Sequence, residues 1–155
     1  MRSLSTLAAA AALLGAAGCV DTKACHTATV WKPCAGESAE AGASGTPPSI
    51  TDLELPTCAY LDSPTVSGTL KVTDPDGDAQ VAKATFAQGV RTNESEAELD
   101  DAERSGNDWS GPFAVVVVGS SGGMLMEGTY DARVKVTDRA GGQSVPFCNS
   151  IALVR

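Results

Sequence analysis

Strict alternation of apolar and polar residues over 65–73 and 129–137 limits how this chain can fold more than any other feature. Side chains that alternate along the sequence lie on opposite faces of a β-strand, so each stretch predicts a strand with one buried and one wet face. The residues expected to face the core are Val66, Gly68, Leu70 and Val72 in the first stretch and Tyr130, Ala132, Val134 and Val136 in the second.

Shorter β-patterned stretches recur between turn signals along the same half of the chain. They lie at 50–55, 81–86, 113–118 and 144–154. The uninterrupted valines of 113–118 predict a strand that is buried on both sides. The sequence therefore predicts an all-β domain over residues 49–155, close to the usual size of one small β-sandwich.

The segment 93–104 is strongly acidic, with six acids against one arginine and no clear apolar stripe. We expect a short helix or an acidic loop that is solvated, with docking of a basic partner as the alternative. The whole chain has a formal net charge of −8, which disfavours nucleic acid as a partner.

The first residues have the form of an export signal. Arg2 gives a positive start, and the apolar run 4–17 is too short and too rich in alanine to cross roughly 30 Å of hydrocarbon comfortably. Small residues at 16–18 then precede Cys19, where we expect cleavage. The segment 1–18 is therefore predicted to be a signal peptide.

The residues around the expected cleavage site resemble a bacterial lipobox, although Ala16 stands where leucine is usual. The resemblance implies that Cys19 is acylated, for example with palmitate, and that the protein is anchored in the membrane by its lipid. Val20 replaces the aspartate that is associated with inner-membrane retention, so the outer membrane is the expected location. A secreted or periplasmic protein without lipid is the alternative.

The remaining cysteines fit an oxidising compartment. Cys25, Cys34, Cys58 and Cys148 form an even set, which predicts two disulfides with three pairings open. We favour a local Cys25–Cys34 clasp and a Cys58–Cys148 bridge between the ends of the domain. A zinc site at Cys25, Cys34 and His26 is the weaker interpretation, because no second closely spaced ligand pair accompanies them.

Small, polar and helix-breaking residues fill 35–48, which predicts a flexible tether. The chain is accordingly divided into a signal peptide (1–18), a lipidated N-terminus with its clasp and tether (19–48) and a β-sandwich (49–155).

Two motifs, GTLKVTDPDGD at 68–78 and GTYDARVKVTDRAGG at 128–142, resemble bacterial immunoglobulin-like domains related to PKD, cadherin-like and fibronectin III modules. The resemblance implies an immunoglobulin-like sandwich in which Tyr130 is a tyrosine-corner residue, with a buried ring and a hydroxyl that caps a nearby backbone group. Ala132 occupies the place of the inter-sheet cysteine of antibody domains, so no antibody-type subfamily follows.

Asp74, Asp76 and Asp78 are the sharpest chemical candidates, because calcium prefers several oxygen ligands gathered by a turn. Asp138 could add a ligand if both loops lie at the same end of the sandwich. The spacing does not fit an EF-hand. The simpler interpretation, which we prefer, is a turn whose carboxylates bond their own backbone without any ion.

No catalytic constellation stands out. Ser121 in the segment 119–123 formally matches a nucleophile elbow, but no helix signal follows it and the single histidine, His26, precedes it. Trp109 is a candidate ligand platform, with a packing role as the more ordinary interpretation. We therefore expect no enzyme activity.

The sequence predicts a non-catalytic binding or structural module of the cell envelope, which contacts the membrane through its lipid and an envelope protein or glycan through its loops. A carbohydrate- or peptidoglycan-binding module is the alternative, and a secreted hydrolase is a weaker one. No cofactor is expected apart from the calcium candidate.

Overall fold

The computed structural model describes residues 25, 27–117 and 125–155. The strands are β1 (Ala28–Val30), β2 (Lys32–Pro33), β3 (Ser49–Pro56), β4 (Cys58–Tyr60), β5 (Thr65–Thr73), β6 (Ala79–Gln88), β7 (Arg91–Glu98), β8 (Arg104–Ser105), β9 (Asp108–Val116), β10 (Gly128–Asp138) and β11 (Phe147–Val154). A 3-10 turn lies at Asp101–Glu103. No helix of the described part of the chain is long and apolar enough to cross a bilayer.

The strands form two sheets that pack as a β-sandwich. The first sheet has the order β1-β3-β5-β9-β8, and the second has the order β2-β11-β10-β6-β7 with β4 also paired to β11. Neighbours are antiparallel, except that β4 runs parallel to β11. This confirms the predicted all-β sandwich.

The core lies between the sheets and contains the residues that alternation assigns to it. Leu70 and Val72 of β5 and Val134 and Val136 of β10 are almost completely buried. The intervening side chains on each strand face outward, so the period of two places apolar residues of both sheets against each other.

The valine-rich stretch is not buried on both sides, so that prediction is wrong. Phe113, Val115 and Val117 are buried, whereas Val116 between them is 43% exposed. The strand alternates because the outer face of its sheet is in contact with water, and the extra valine lies on that face. The strand β9 also begins earlier than predicted, at Asp108.

The acidic segment is mainly a strand, which corrects the expected helix or loop. β7 lies at the edge of the second sheet and pairs with β6 over its whole length. Glu94, Glu96 and Glu98 are exposed, and the alternating residues Asn93, Ser95 and Ala97 are only half-buried. The acids and the small residues therefore follow a period of two.

The register defines two ends of the sandwich. At one end, called the Cys58 end, lie the connections 61–64, 88–91 and 125–127 together with the end of β11. At the other, called the Asp74 end, lie 74–78, 99–107 and 139–146. Every strand runs between these two ends.

Tyr130 makes the hydrogen bond that the resemblance implies. Its ring is 4% exposed, and its hydroxyl donates to the Met126 carbonyl at 3.0 Å. The Met126 N–H in turn donates to the hydroxyl oxygen at 3.4 Å. The hydroxyl thereby fixes the chain as it enters β10 at the Cys58 end.

The four cysteines form two disulfides, but the favoured pairing is wrong. Cys25 is bonded to Cys58 and Cys34 to Cys148. The segment between Cys25 and Cys34 belongs to the sandwich, since β1 pairs with β3 and β2 pairs with β11. Cys58 pairs with Ala152 near the end of β11, whereas Cys148 lies near the beginning of that strand, so the partners of Cys25 and Cys34 lie at different ends of it.

The segment 35–48 is hydrogen-bonded to the domain, which gives no support to the predicted flexible tether. Glu40 exchanges backbone hydrogen bonds with Gln143, at 2.9 and 2.7 Å. The Ala43 N–H donates to the Ala140 carbonyl at 2.9 Å. The Thr46 N–H donates to the Asp76 carboxylate at 2.6 Å, so the segment lies along the second sheet to the Asp74 end.

Peptide mapping without reduction is expected to recover the Cys25–Cys58 and Cys34–Cys148 links. The bridges span 33 and 114 residues, so in the chain-entropy model removing them lowers the free energy of unfolding by about 4 and about 5 kcal/mol. Urea unfolding of the two paired cysteine-to-alanine variants measures this order. Recovery of a Cys25–Cys34 peptide would contradict the structure.

Candidate functional site

The Asp74 carboxylate organises the turn that follows β5. The side chain is 1% exposed. Its Oδ1 accepts from the Asp76 N–H at 3.1 Å and its Oδ2 from the Asp78 N–H at 2.9 Å. Its carbonyl accepts from the Gly77 N–H at 2.9 Å, where φ is 72° and favours glycine. The buried charge thus holds a backbone turn.

A second buried aspartate does the same after β10. Asp138 is 4% exposed, and its Oδ1 accepts from the Gly142 N–H at 2.7 Å. A Cβ at position 142 would lie 2.4 Å from Asp138 Oδ2, so this close approach requires glycine. The two strands end in the same four residues, KVTD, at 71–74 and 135–138, which explains the shared arrangement.

The two turns meet through Asp78. Its carbonyl accepts from the Arg139 N–H at 3.2 Å, and its Oδ1 is shielded from solvent with no hydrogen-bond partner among the described residues. Burial raises the pKa of the Asp78 carboxyl above its ordinary value of 3.8, and so do a hydrogen bond to Asp74 and the charges of Asp74, Asp138 and Asp76. The carboxyls therefore lie close together, as the sequence predicts.

Several carboxylate oxygens at the Asp74 end already accept hydrogen bonds from backbone N–H groups. Both carboxylate oxygens of Asp74 accept N–H groups of its own turn, Asp138 accepts from Gly142, and Asp76 accepts from Thr46. Across the described part of the chain, no three or more His, Cys, Asp or Glu residues are arranged to hold a metal ion. The geometry is that of an Asp-rich turn, and calcium binding stays a prediction of the sequence alone.

Both tryptophans are packing residues, so the structure gives no support to Trp109 as a ligand platform. Trp109 is 3% exposed, and its indole N–H donates to the Asp100 carbonyl at 2.8 Å. Trp31 is 1% exposed, and its indole N–H donates to the Leu55 carbonyl at 3.2 Å. Neither ring offers a face to a ligand.

A polar groove crosses the outer face of the second sheet. Two adjoining cavities of about 300 and 250 Å³ share Lys135 and Gln143, and we call them together the Lys135 groove. Its wall on one side is the segment 37–40. The other lining residues include Gln80, Lys83, Thr85, Glu96, Arg133 and Ser144.

Two of the three cations that line the Lys135 groove form ion pairs within the protein, and Lys135 donates a hydrogen bond to the Gln143 side-chain oxygen. Arg133 contacts Glu37 at 2.6 Å, and Lys83 contacts Glu94 at 3.1 Å and Glu96 at 2.8 Å. The two glutamates raise the pKa of the Lys83 ammonium above its ordinary value of 10.5. The groove can therefore hydrogen-bond a polar chain.

Lys83, Arg133 and Lys135 were not predicted to be functional residues. A signal for them exists, because all three occupy outward positions of alternating stretches, 81–86 and 129–137, in a chain that is otherwise acidic. The polar face of each strand therefore predicts these three cations, as the apolar face predicts the core.

Three of the predicted functional residues fall outside the described residues: Cys19, His26 and Ser121. Neither protein-family models nor curated protein sequences match this chain. The functional interpretation therefore depends on the disulfides, the aspartate turns and the Lys135 groove.

Exchange of Asp78 for asparagine is expected to raise the melting temperature at pH 7. Because the pKa of Asp78 is raised, the folded protein binds more protons than the unfolded chain above pH 3.8. The proton on Asp78 therefore stabilises the folded protein, and this stabilisation is lost as the pH rises through the folded-state pKa. Asparagine is neutral throughout, so its advantage should shrink as the pH falls toward 3.8. Thermal melts across this range measure the difference.

The matched control is Asp74→Asn, which should have the opposite effect. Asparagine has one acceptor oxygen where the carboxylate uses two, so a buried N–H loses its partner and the free energy of unfolding falls by about 1–3 kcal/mol. A loss of stability in Asp78→Asn equal to that in Asp74→Asn would refute the assigned roles.

Proposed function

We propose that this chain is a non-catalytic binding or structural module of the bacterial cell envelope, anchored through a lipid on Cys19. The observation that carries the proposal is that both disulfides join the segment after Cys19 to the sandwich, Cys25 to Cys58 and Cys34 to Cys148. Disulfides persist in oxidising compartments outside the cytoplasm, which agrees with export. They also connect the proposed anchor covalently to the core of the domain.

An immunoglobulin-like module is the form of sandwich that we propose. The Tyr130 hydroxyl bonds the backbone four residues upstream, as a tyrosine corner does. The bridge from Cys34 to Cys148 and the close packing of the segment 28–48 distinguish this domain from antibody domains. Such a rigid sandwich suits a role in presenting surfaces and loops.

The Lys135 groove is the surface that we assign to recognition of an envelope partner. Its lining of charged and amide side chains suits a polar peptide segment better than a sugar ring. Six of the seven aromatic residues of the chain are buried, and the seventh, Tyr60, is half-buried. Carbohydrate recognition, which commonly stacks sugars on exposed rings, is therefore the second candidate only.

Lipidation is tested by labelling cells with a palmitate analogue. The full precursor should incorporate the label and enter the membrane fraction, because two or more acyl chains anchor a protein stably. Cys19→Ala should lose the label, whereas the neighbouring Val20→Ala should keep it. An unlabelled wild-type protein in the medium would favour the secreted alternative.

Recognition through the groove is tested by capture from envelope extract on the immobilised, oxidised mature chain. Arg133→Glu with Lys135→Glu should abolish capture of a protein partner, because it replaces two of the three cations that line the groove with acids. Lys71→Glu, on the outer face of the first sheet, is the control and should keep capture. Capture of glycans alone would promote the carbohydrate alternative, and equal capture by all variants would exclude the groove.

A further inference from the structure

The exposed apolar side chains of the described residues are concentrated at one end of the sandwich. The large ones are Val30, Val90, Val116 and Met126, with exposures of 50%, 102%, 43% and 49%. Val116 pairs with Thr65 where β5 begins. Val90 lies in the turn between β6 and β7. Three of these four side chains, all except Val30, therefore lie at the Cys58 end.

Met126 belongs to the same end as the turn that carries Val90. It precedes β10, whose first residue, Gly128, pairs with Leu153 near the end of β11. A Cβ on Gly128 would lie 2.6 Å from the Gln88 side-chain nitrogen, and Gln88 is the last residue before that turn. The two exposed side chains thus project from adjacent connections of the second sheet.

The chain enters the domain at this end as well. Cys58 pairs with Ala152 beside Leu153, and the Cα atoms of Cys25 and Cys58 are 4.7 Å apart. Cys25 follows Cys19 by six residues. At about 3.5 Å per residue even an extended chain reaches only roughly 20 Å, so a lipid on Cys19 would keep the Cys58 end close to the membrane.

The distribution of charge favours the same orientation. The segments 61–64, 88–91, 125–127 and residue 155 at the Cys58 end hold two acids and two arginines. The segments 74–78, 99–107 and 139–146 at the Asp74 end hold six acids and two arginines. An anionic membrane surface repels the second set over a Debye length and leaves the first set nearly unaffected.

We propose that the Cys58 end of the sandwich rests on the lipid bilayer that holds Cys19, with Val90 and Met126 in contact with the interfacial region. The inference rests on the proposed lipidation of Cys19 and adds an interaction surface to it. The Asp74 end then points away from the membrane, and the Lys135 groove stays open along the side of the domain. Apolar side chains at the tip of a tethered domain gain from such contact, because the anchor keeps the lipid surface within reach.

The orientation is tested with tryptophan variants of the lipidated full chain in vesicles of phosphatidylethanolamine and phosphatidylglycerol with brominated acyl chains. Val90→Trp and Met126→Trp each place a ring at the Cys58 end. Ala102→Trp is the control, since Ala102 is an exposed residue at the Asp74 end. We expect loss of most of the added emission in the first two variants and none in the control, relative to vesicles without bromine.

The outcomes separate this inference from the proposed function. Flotation of all proteins with the vesicles but equal quenching of the three variants would overturn the orientation and leave lipid anchoring intact. Failure of the wild-type protein to float would overturn the anchoring and the orientation with it. A blue shift in the tryptophan emission of Val90→Trp that increases with protein density and does not depend on bromine would show that a second copy covers the Cys58 end. This result would also overturn the inference.

Discussion

Burial of Trp31 is the contact on which the arrangement of the N-terminal segment depends. The residue lies between β1 and β2, where the chain passes from the first sheet to the second, and it is held through its backbone N–H to Leu53 and through its indole N–H to Leu55. With Trp31 buried, β1 before it pairs in the first sheet and β2 after it pairs in the second sheet. Cys25 is thereby brought to one end of the sandwich, and Cys34 is brought to the strand that carries Cys148.

Carboxylates at the opposite end accept hydrogen bonds from the backbone. Asp74 and Asp138 are buried charges that accept N–H groups of tight turns, which leaves little of their surface to solvent. Charge-assisted hydrogen bonds of this kind are stronger than neutral ones, so two short motifs can fix the turns that follow β5 and β10. The repulsion on Asp78 is the consequence of placing two such turns side by side.

The sequence predicted those features that depend on neighbours along the chain. The strands 65–73 and 129–137 and the self-bonding Asp74 turn follow from local pattern. The Tyr130 hydrogen bond was expected from the resemblance of the motif 128–142 to immunoglobulin-like domains. The disulfide pairing could not be predicted, because it depends on strands pairing across more than a hundred residues. β7 was missed since its alternation is between acids and small residues, which a search for apolar periodicity ignores.

The acidic edge strand has a consequence for many copies of this protein together. β7 ends the second sheet with Glu94, Glu96 and Glu98 exposed, and Lys83 compensates only part of their charge. Unpaired strand edges invite pairing with another chain, and like charges along such an edge oppose it. Proteins anchored to a membrane, as we propose for this chain, meet one another side by side far more often than in solution. The glutamates would therefore keep a crowded layer of these domains as separate molecules instead of a continuous sheet.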